Sequence, residues 1–139
     1  MTYWAIQYLN KPWVSGGVGP DAFDCWGFVR YIKRHHEGIE LPVIAVDGND
    51  PRAVLKAFRQ HPELQRYEVL EKNPQAGDVV LMKHSKHPTH CGVWIDADGG
   101  GVLHCAQGSG VVFQTLHSLK ATGWAGVLFY RLKSEFQKA

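Results

Sequence analysis

The feature that most constrains this chain is a glycine-rich loop that ends in Asp24-Cys25 and leads directly into an amphipathic segment. Asp24 is a favourable N-cap and Gly38 a favourable stop, so the sequence predicts a helix between them. The first N–H groups of a helix lack internal partners, and a thiol held there loses its proton more readily than a free cysteine. Cys25 is therefore a candidate nucleophile, although a buried structural cysteine is the commoner use of this residue.

Two histidines fall in a segment that predicts a β-hairpin. His90 begins one apolar run and His104 lies within a second, 102–106, with an aspartate- and glycine-rich turn between them. A hairpin centred on Ala97 places His90 directly opposite His104 on one face of the sheet. Directly opposed side chains have Cβ atoms roughly 4.5–5.5 Å apart, so one imidazole can hold the other. A one-residue slip would separate the two rings onto opposite faces.

The histidine spacing also leaves a metal site open as an alternative. His84, His87 and His90 are spaced three apart, with Cys91 adjacent, and on a helix they would lie along one face. Pro88 favours a loop instead, and the chain has no paired-cysteine motif of the zinc-ribbon type. The sequence therefore predicts no metal, and no other cofactor is implied.

Four short motifs follow one another along the chain. They are Pro12-Trp13-Val14-Ser15-Gly16-Gly17 with Phe23-Asp24-Cys25-Trp26-Gly27-Phe28, Gly77-Asp78 before an apolar strand, His90-Cys91-Gly92-Val93-Trp94, and Leu103-His104-Cys105-Ala106. In this order they resemble the NlpC/P60 family of papain-like cysteine peptidases. The likeness extends from about Lys11 to Tyr130. Each motif alone is weak, and their order makes the resemblance specific.

The resemblance implies an α+β fold, a papain-like domain with N-terminal helices packed on an antiparallel β-sheet. It implies that Cys25 is the nucleophile, that His90 is the general base and that His104 orients the ring of His90. In this arrangement both histidines point towards Cys25, and protonated His90 stabilises the thiolate. The implied reaction is hydrolysis of a bacterial peptidoglycan stem peptide, between D-Glu and diaminopimelate.

Two residues depart from the usual family pattern. Trp13 stands where the family usually has tyrosine, and Trp26 stands where it usually has serine. Together with Asp24 they flank Cys25, so these three are the candidate substrate-binding residues. The Asp-Cys-Trp-Gly version resembles a branch found with bacteriophage tail proteins. This likeness implies phage tail proteins as partners and delivery in a virion tail or to the cell wall.

Length and composition predict a single catalytic domain over residues 1–139. The 139 residues are 45% apolar, which suffices for one core, and no repeat or linker divides them. Helices are expected at 3–9 and 50–60, ahead of strands at 78–83, 91–95, 102–106, 110–115 and 124–132. Helices followed by strands are typical of an α+β domain.

Charge and targeting signals exclude several classes of protein. A net charge of +2, without a recognisable binding motif, does not favour nucleic-acid binding. No apolar run has the length of a membrane span, and the N-terminus lacks the basic start of a signal peptide. We therefore expect cytoplasmic synthesis. The basic residues near His90 can meet an anionic wall polymer, although a solvated loop is the commoner outcome.

Cys91 and Cys105 alternate with the two histidines along the predicted hairpin. They are expected on the opposite sheet face, at diagonal positions, as small core residues. A disulfide is not expected without a signal peptide.

Two other functions fit the same motifs. A papain-like amidase or acyltransferase would use the same chemistry on another substrate. A non-catalytic phage tail assembly component can retain the fold, although loss of Cys25 or His90 would have favoured it and both are present. Reaction of Cys25 with a thiol reagent near neutral pH separates an activated nucleophile from a structural cysteine.

Overall fold

Helices come first along the described chain and strands second, as the sequence predicts, except for one short helix before the last strand. The structure is a computed structural model that describes residues 3–42, 51–84 and 88–136. Its elements are α1 (Tyr3–Ile6), α2 (Cys25–Glu37), α3 (Pro51–Gln60), a 3₁₀ turn (Pro62–Arg66), β1 (Tyr67–Leu70), β2 (Val79–Lys83), β3 (Pro88–Ile95), β4 (Gly101–Ala106), β5 (Gly110–Gln114), α4 (Leu116–Ala121), β6 (Gly126–Leu132) and a second 3₁₀ turn (Ser134–Phe136). Asp50, the expected start of the second predicted helix, lies outside the described residues.

Helix α2 has the predicted bounds because both of its ends are capped. The Asp24 carboxylate accepts a hydrogen bond from the Gly27 N–H at 2.6 Å. At the other end, Gly38 has a left-handed backbone, with φ of 67°, and its N–H donates to the carbonyl of Arg34. Glycine adopts this conformation without the steric cost of a Cβ atom.

All six strands join in one antiparallel sheet, in the order β1-β6-β2-β3-β4-β5. Helices and an antiparallel sheet together confirm the α+β class. The sequence did not predict β1 or α4. These elements have only four and six residues, respectively, which is too few to show a clear apolar period. Within the described ranges, no helix is both long and apolar enough to cross a membrane.

The sheet separates two apolar clusters. Successive residues of a strand point to opposite faces, so β3 contributes Cys91, Val93 and Ile95 to one cluster and Trp94 to the other. The first cluster includes Cys25 and Phe28 of α2, and we call its side of the sheet the α2 face. The second includes Leu119 of α4, and its side is the α4 face. The α4-face cluster consists of Val80, Met82, Trp94, Val102, Leu119 and Phe129.

Polar contacts attach the far end of α2 to the sheet. The buried Lys33 ammonium donates to Glu37 at 2.8 Å and to the Gly77 carbonyl at 2.6 Å. Gly77 has φ of 94°, and a Cβ there would overlap the Glu37 carboxylate. The next residue, Asp78, accepts two hydrogen bonds from the Arg131 guanidinium at 2.9 and 2.8 Å. The Gly77-Asp78 motif thus joins α2, β2 and β6.

The β3–β4 hairpin has a different register from the predicted one. Ile95 pairs with Gly101, so the hairpin is centred on Asp98 rather than Ala97. Residues 98–100 all have positive φ, of 50°, 86° and 100°. Two glycines make such a turn accessible. Three consecutive left-handed residues were not predicted from the sequence. The register moves by two positions, which preserves the set of side chains on each face.

Candidate active site

Cys25 lies at the first position of α2, on the α2 face of the sheet. Gly27 lets the preceding loop approach this end of the helix, because a Cβ on Gly27 would overlap the Gly17 carbonyl oxygen. The Cys25 side chain is buried, with 6% of its surface exposed. In the Cys-Trp-Gly sequence, the glycine therefore permits a close contact between loop and helix, and the cysteine places the thiol at the start of the helix.

The surroundings of the Cys25 thiol favour its ionisation relative to a free cysteine. A hydrogen bond from the Cys91 thiol lowers the pKa of Cys25, and the backbone N–H groups of Trp26 and Cys25 act in the same direction. Burial and the charge of Asp24 raise this pKa but do not outweigh those bonds. Burial and the neighbouring Cys25 raise the pKa of Cys91 well above its usual value. Of the two sulfurs, Cys25 thus ionises more readily, and Cys91 is the donor.

The third cysteine has a separate partner. The Cys105 thiol donates to the Phe23 carbonyl at 3.5 Å, and burial raises its pKa to about 12. All three cysteines are free thiols. Cys91 and Cys105 are buried in the α2-face cluster, which confirms them as core residues on the sheet face opposite the histidines. The contact of Cys91 with Cys25 was not predicted.

His90 and His104 form a hydrogen-bonded pair on the α4 face. His90 Nε2 lies 2.8 Å from His104 Nδ1, and the ring planes are inclined at 76°. The expected contact between the rings is confirmed, whereas their directly opposed register is wrong. Gly92 is the residue opposite His104, since a Cβ built on it would lie 2.8 Å from the His104 Cβ. His90 reaches His104 diagonally, which long side chains on neighbouring strands can do.

Both imidazoles are uncharged near neutral pH. Burial, together with nearby His104 and His84, lowers the pKa of His90 to about 3. Burial also lowers the pKa of His104, against a hydrogen bond from its ring to Gln114 that raises it. The lowered pKa favours neutral His90 in the protein without substrate, and a protonated His90 paired with the Cys25 thiolate stays a prediction. Sequence alone does not show how completely a ring is removed from water.

Alternation along β3 assigns Cys25 and the histidine pair to different faces of the sheet. His90 precedes Cys91 in β3, so the two side chains point to opposite faces of the sheet. The His90 ring stacks at 5.5 Å on Trp124, which packs against the α4-face cluster. Among the described residues, no hydrogen bond joins Cys25 to either histidine. That both histidines point towards Cys25 stays a prediction, because His90 lies near the start of β3 and Cys25 at the start of α2, where the edge of the sheet does not separate them.

The three candidate substrate-binding residues have different surroundings. Trp13 is half-buried in the loop before α2, where its backbone forms a bridge with Phe23. Asp24 acts as the cap of α2, and burial raises the pKa of its carboxyl group. Trp26 is a buried core residue whose indole N–H donates to the Pro42 carbonyl at 3.2 Å. Trp26 thus stabilises the interior, whereas only Trp13 keeps a partly accessible ring.

Two residues beside the histidine pair were not predicted from the sequence. Gln114 Oε1 accepts from His104 Nε2 at 2.8 Å, and Trp124 stacks on both His84 and His90. The glycine-containing turn between β4 and β5 could have indicated Gln114, because it returns the chain alongside His104. Trp124 follows α4 and has no comparable local signal.

His84, a candidate ligand of the alternative metal site, has a backbone carbonyl as its partner. The His84 ring nitrogen Nδ1 lies 2.8 Å from the Gly123 carbonyl oxygen, which a ring N–H can satisfy. His87 lies outside the described residues. Within the described ranges, no three metal-ligating side chains form a cluster.

Comparison with known proteins identifies the family. The sequence profile described as the NlpC/P60 family matches residues 10–130, which include Cys25, His90 and His104. The chain belongs to the NlpC/P60 family. The profile covers most of the sequence, so the resemblance noted from four motifs is confirmed at the level of the family.

Similar curated proteins carry endopeptidase names. "Probable endopeptidase p60" of Listeria seeligeri is 30% identical over 124 residues, covering 89% of this chain and 20% of that protein. The protein of the same name from Listeria grayi is 29% identical, with the same coverage. A "Probable endopeptidase" of Haemophilus influenzae is 25% identical, covering 81% of this chain and 61% of that protein. The chain thus spans about a fifth of the Listeria relatives it matches.

A solved structure supports the fold. The crystal structure of the NlpC/p60 domain of peptidoglycan hydrolase SagA superposes with a TM-score of 0.57 at 22% identity. The match covers 93% of this chain and 92% of that one. The NlpC/P60 fold is therefore shared over nearly the whole length.

Proposed function

We propose that this NlpC/P60 domain is a cysteine peptidase that hydrolyses stem peptides of bacterial peptidoglycan. The observation that carries the proposal is the family match over residues 10–130. Curated relatives named endopeptidases support the reaction class. The lowered pKa of Cys25 at the start of α2 supports its role as the nucleophile.

The proposed reaction begins with attack of the Cys25 thiolate on an amide carbonyl. The oxyanion forms next to the N-terminus of α2, where the Cys25 backbone N–H can donate to it. The leaving amine takes a proton from a general acid, and the same group later removes a proton from the water that releases the product. We assign this acid–base role to His90 and the orientation of its ring to His104.

The assignment of His90 carries a geometric condition. A general base must come within hydrogen-bond reach of the proton that it takes, and this contact can form only in the substrate complex. In the present structure His90 and Cys25 lie on opposite faces of the sheet. Catalysis by His90 therefore requires that its ring, near the start of β3, reaches the thiol at the start of α2. Neutral His90 already has the free lone pair that a base needs.

The finer features of substrate and delivery are part of the same proposal. We propose cleavage between D-Glu and diaminopimelate, with the half-buried Trp13 contacting the stem peptide. The Asp24-Cys25-Trp26-Gly27 motif supports an association with phage tail proteins, which would carry the domain from cytoplasmic synthesis to the wall. These assignments rest on the family resemblance.

Defined muropeptides test the proposal. The wild type, Cys25→Ala, His90→Ala and the exposed-site control His117→Ala are incubated with several stem types, and the products are identified by mass spectrometry. We expect cleavage by the wild type and His117→Ala, none by Cys25→Ala, and a loss of roughly 10²–10⁴ in turnover for His90→Ala. Equal products from the wild type and Cys25→Ala on every stem type would contradict the proposal.

The thiol itself shows whether His90 reaches Cys25 in the resting protein. We expect the pH profile of iodoacetamide alkylation at Cys25 to be the same in the wild type and His90→Ala, because neutral His90 adds no charge beside the thiolate. A higher apparent pKa in His90→Ala would show that His90 stabilises the thiolate in the resting protein.

A second candidate function is a non-catalytic tail assembly component that retains the fold. The 6% exposure of Cys25 favours it, because a buried thiol is the usual state of a structural cysteine. The muropeptide assay decides between the two candidates, since an assembly component would release no product dependent on Cys25.

A further inference from the structure

A chain of hydrogen bonds extends from the histidine pair to α4. His90 contacts His104, His104 Nε2 lies 2.8 Å from Gln114 Oε1, and Gln114 Nε2 lies 3.0 Å from Ser118 Oγ and 3.2 Å from Thr122 Oγ1. We propose that Gln114, held by Ser118 and Thr122, sets the tautomers of both histidines. In these tautomers, the ring nitrogen that keeps a free lone pair is Nδ1 of His90.

The donor and acceptor roles along this series of hydrogen bonds are set at Thr122. Its hydroxyl donates to backbone carbonyls of α4, at 3.0 Å to Leu119 and 3.2 Å to Ser118. With its only hydrogen used, Thr122 Oγ1 can only accept from Gln114, so the amide nitrogen of Gln114 faces α4. A flipped amide would set the Gln114 oxygen against the lone pairs of Thr122.

The remaining bonds follow from this orientation. Gln114 Oε1 faces His104 and is an acceptor, so His104 Nε2 must carry the hydrogen. A neutral imidazole has one N–H, so His104 Nδ1 is bare and accepts from His90 Nε2. His90 then carries its hydrogen on Nε2 and its lone pair on Nδ1.

Gln114 is thus a positioning residue that acts through His104. The consequence for catalysis rests on the proposed function, because only there is His90 the base. A base whose lone pair is held on one nitrogen and in one direction needs no tautomer exchange before it accepts a proton. The tautomers themselves are a property of the folded chain and can be measured without substrate.

Nitrogen NMR of protein labelled with ¹⁵N at histidine tests the tautomers at neutral pH. We expect protonated Nε2 and bare Nδ1 for both rings in the wild type and in Gln114→Glu, whose carboxylate also accepts from His104. In Gln114→Met, which has similar bulk and no acceptor oxygen, we expect signals averaged between the two tautomers. Gln107→Met, at an exposed position in the β4–β5 turn, is the matched control and should resemble the wild type.

A double variant keeps the test decisive if Gln114→Met does not fold. Ser118→Ala combined with Thr122→Ala frees the amide to flip, and averaged tautomers are expected there as well. His104 protonated on Nδ1 in the wild type would overturn the proposal. So would wild-type tautomers in the folded Gln114→Met or in the Ser118→Ala and Thr122→Ala double variant.

The muropeptide assay tests the catalytic consequence separately. We expect Gln114→Met to lose about 10–100-fold in turnover, as when outer partners of metal-bound histidines are removed, and Gln114→Glu to recover most of it. Full activity of Gln114→Met with averaged tautomers would overturn the positioning role. An inactive wild type with the expected tautomers would contradict the proposed function and leave the tautomer assignment supported.

Discussion

At the scale of single residues, the ionisation of Cys25 depends on a sulfur that is distant in the sequence. Cys91 lies on β3, and its thiol donates to the Cys25 sulfur from within the core. The bond stabilises the thiolate over the thiol, so it lowers the pKa of Cys25, while burial acts in the opposite direction. The helix N-terminus that the sequence identified is one of two contributions, and the larger one comes from the tertiary contact.

Replacing Cys91 tests this contribution. We expect Cys91→Ala to raise the pKa of Cys25, because the thiolate loses its donor in a buried site. The measurement is the rate of iodoacetamide labelling against pH, followed for each cysteine by peptide mapping. In the wild type, Cys25 should react well below pH 8, and Cys91 and Cys105 slowly.

Cys105→Ala is the matched control for that measurement. Its thiol donates to a backbone carbonyl and not to Cys25, so its loss removes no donor from the thiolate. Equal labelling rates for all three wild-type cysteines, or an unchanged profile in Cys91→Ala, would contradict the assignment of Cys91 as the donor.

At the scale of elements, α2 is defined by local interactions at its two ends. Asp24 satisfies one of the free N–H groups of its first turn, and Gly38 takes the left-handed conformation at its end. The same cap sits next to the nucleophile, where the carboxylate charge raises the pKa of Cys25. Asp24 thus stabilises the helix and opposes the thiolate.

Two substitutions at Asp24 separate these effects. We expect Asp24→Ala to lower the free energy of unfolding by about 0.5–2 kcal/mol, the usual cost of losing an N-cap. Asp24→Asn keeps a capping oxygen and should lose much less. Both variants remove the charge and should lower the pKa of Cys25.

Urea unfolding and thiol labelling measure the two effects independently. A loss of stability in Asp24→Asn as large as in Asp24→Ala would show that the charge, and not the capping bond, stabilises α2.

At the scale of the whole molecule, the two faces of the sheet carry different ionisable side chains. The α2 face holds the three cysteines, and the α4 face holds the two histidines with Trp124 and Gln114. Burial on the α4 face keeps the histidines neutral, which couples the stability of the fold to pH.

Stability should therefore fall as the solution is acidified. An unfolded histidine titrates near about 6.5, whereas the pKa of His90 in the folded protein is lowered to about 3. Between these values the unfolded state binds a proton that the folded state does not, so stability decreases from pH 6.5 downwards. His90→Gln should flatten this dependence by up to about 1.4 kcal/mol per pH unit.

Urea midpoints measured from neutral pH down to about pH 4 check the slope. His117→Gln, at an exposed position, should keep the wild-type slope. The same slope in the wild type and His90→Gln would mean that the His90 ring is not buried in its neutral form.

The sequence by itself determined what local interactions control. Caps defined both ends of α2 and placed Cys25 at its start. Strand alternation put His90 and His104 on one face, and it did so even though the predicted register was off by two positions. The order of four motifs was sufficient for the family. All of these depend on backbone geometry within one element or one turn.

Only the tertiary structure decided which groups meet. Three left-handed residues in the β3–β4 turn set the register. The side of the sheet on which α2 packs placed Cys25 next to Cys91, and it put the Trp26 ring in the core. Gln114 reached the histidine pair through the pairing of β4 with β5. These outcomes depend on the burial of residues far apart in the chain, which no local pattern encodes.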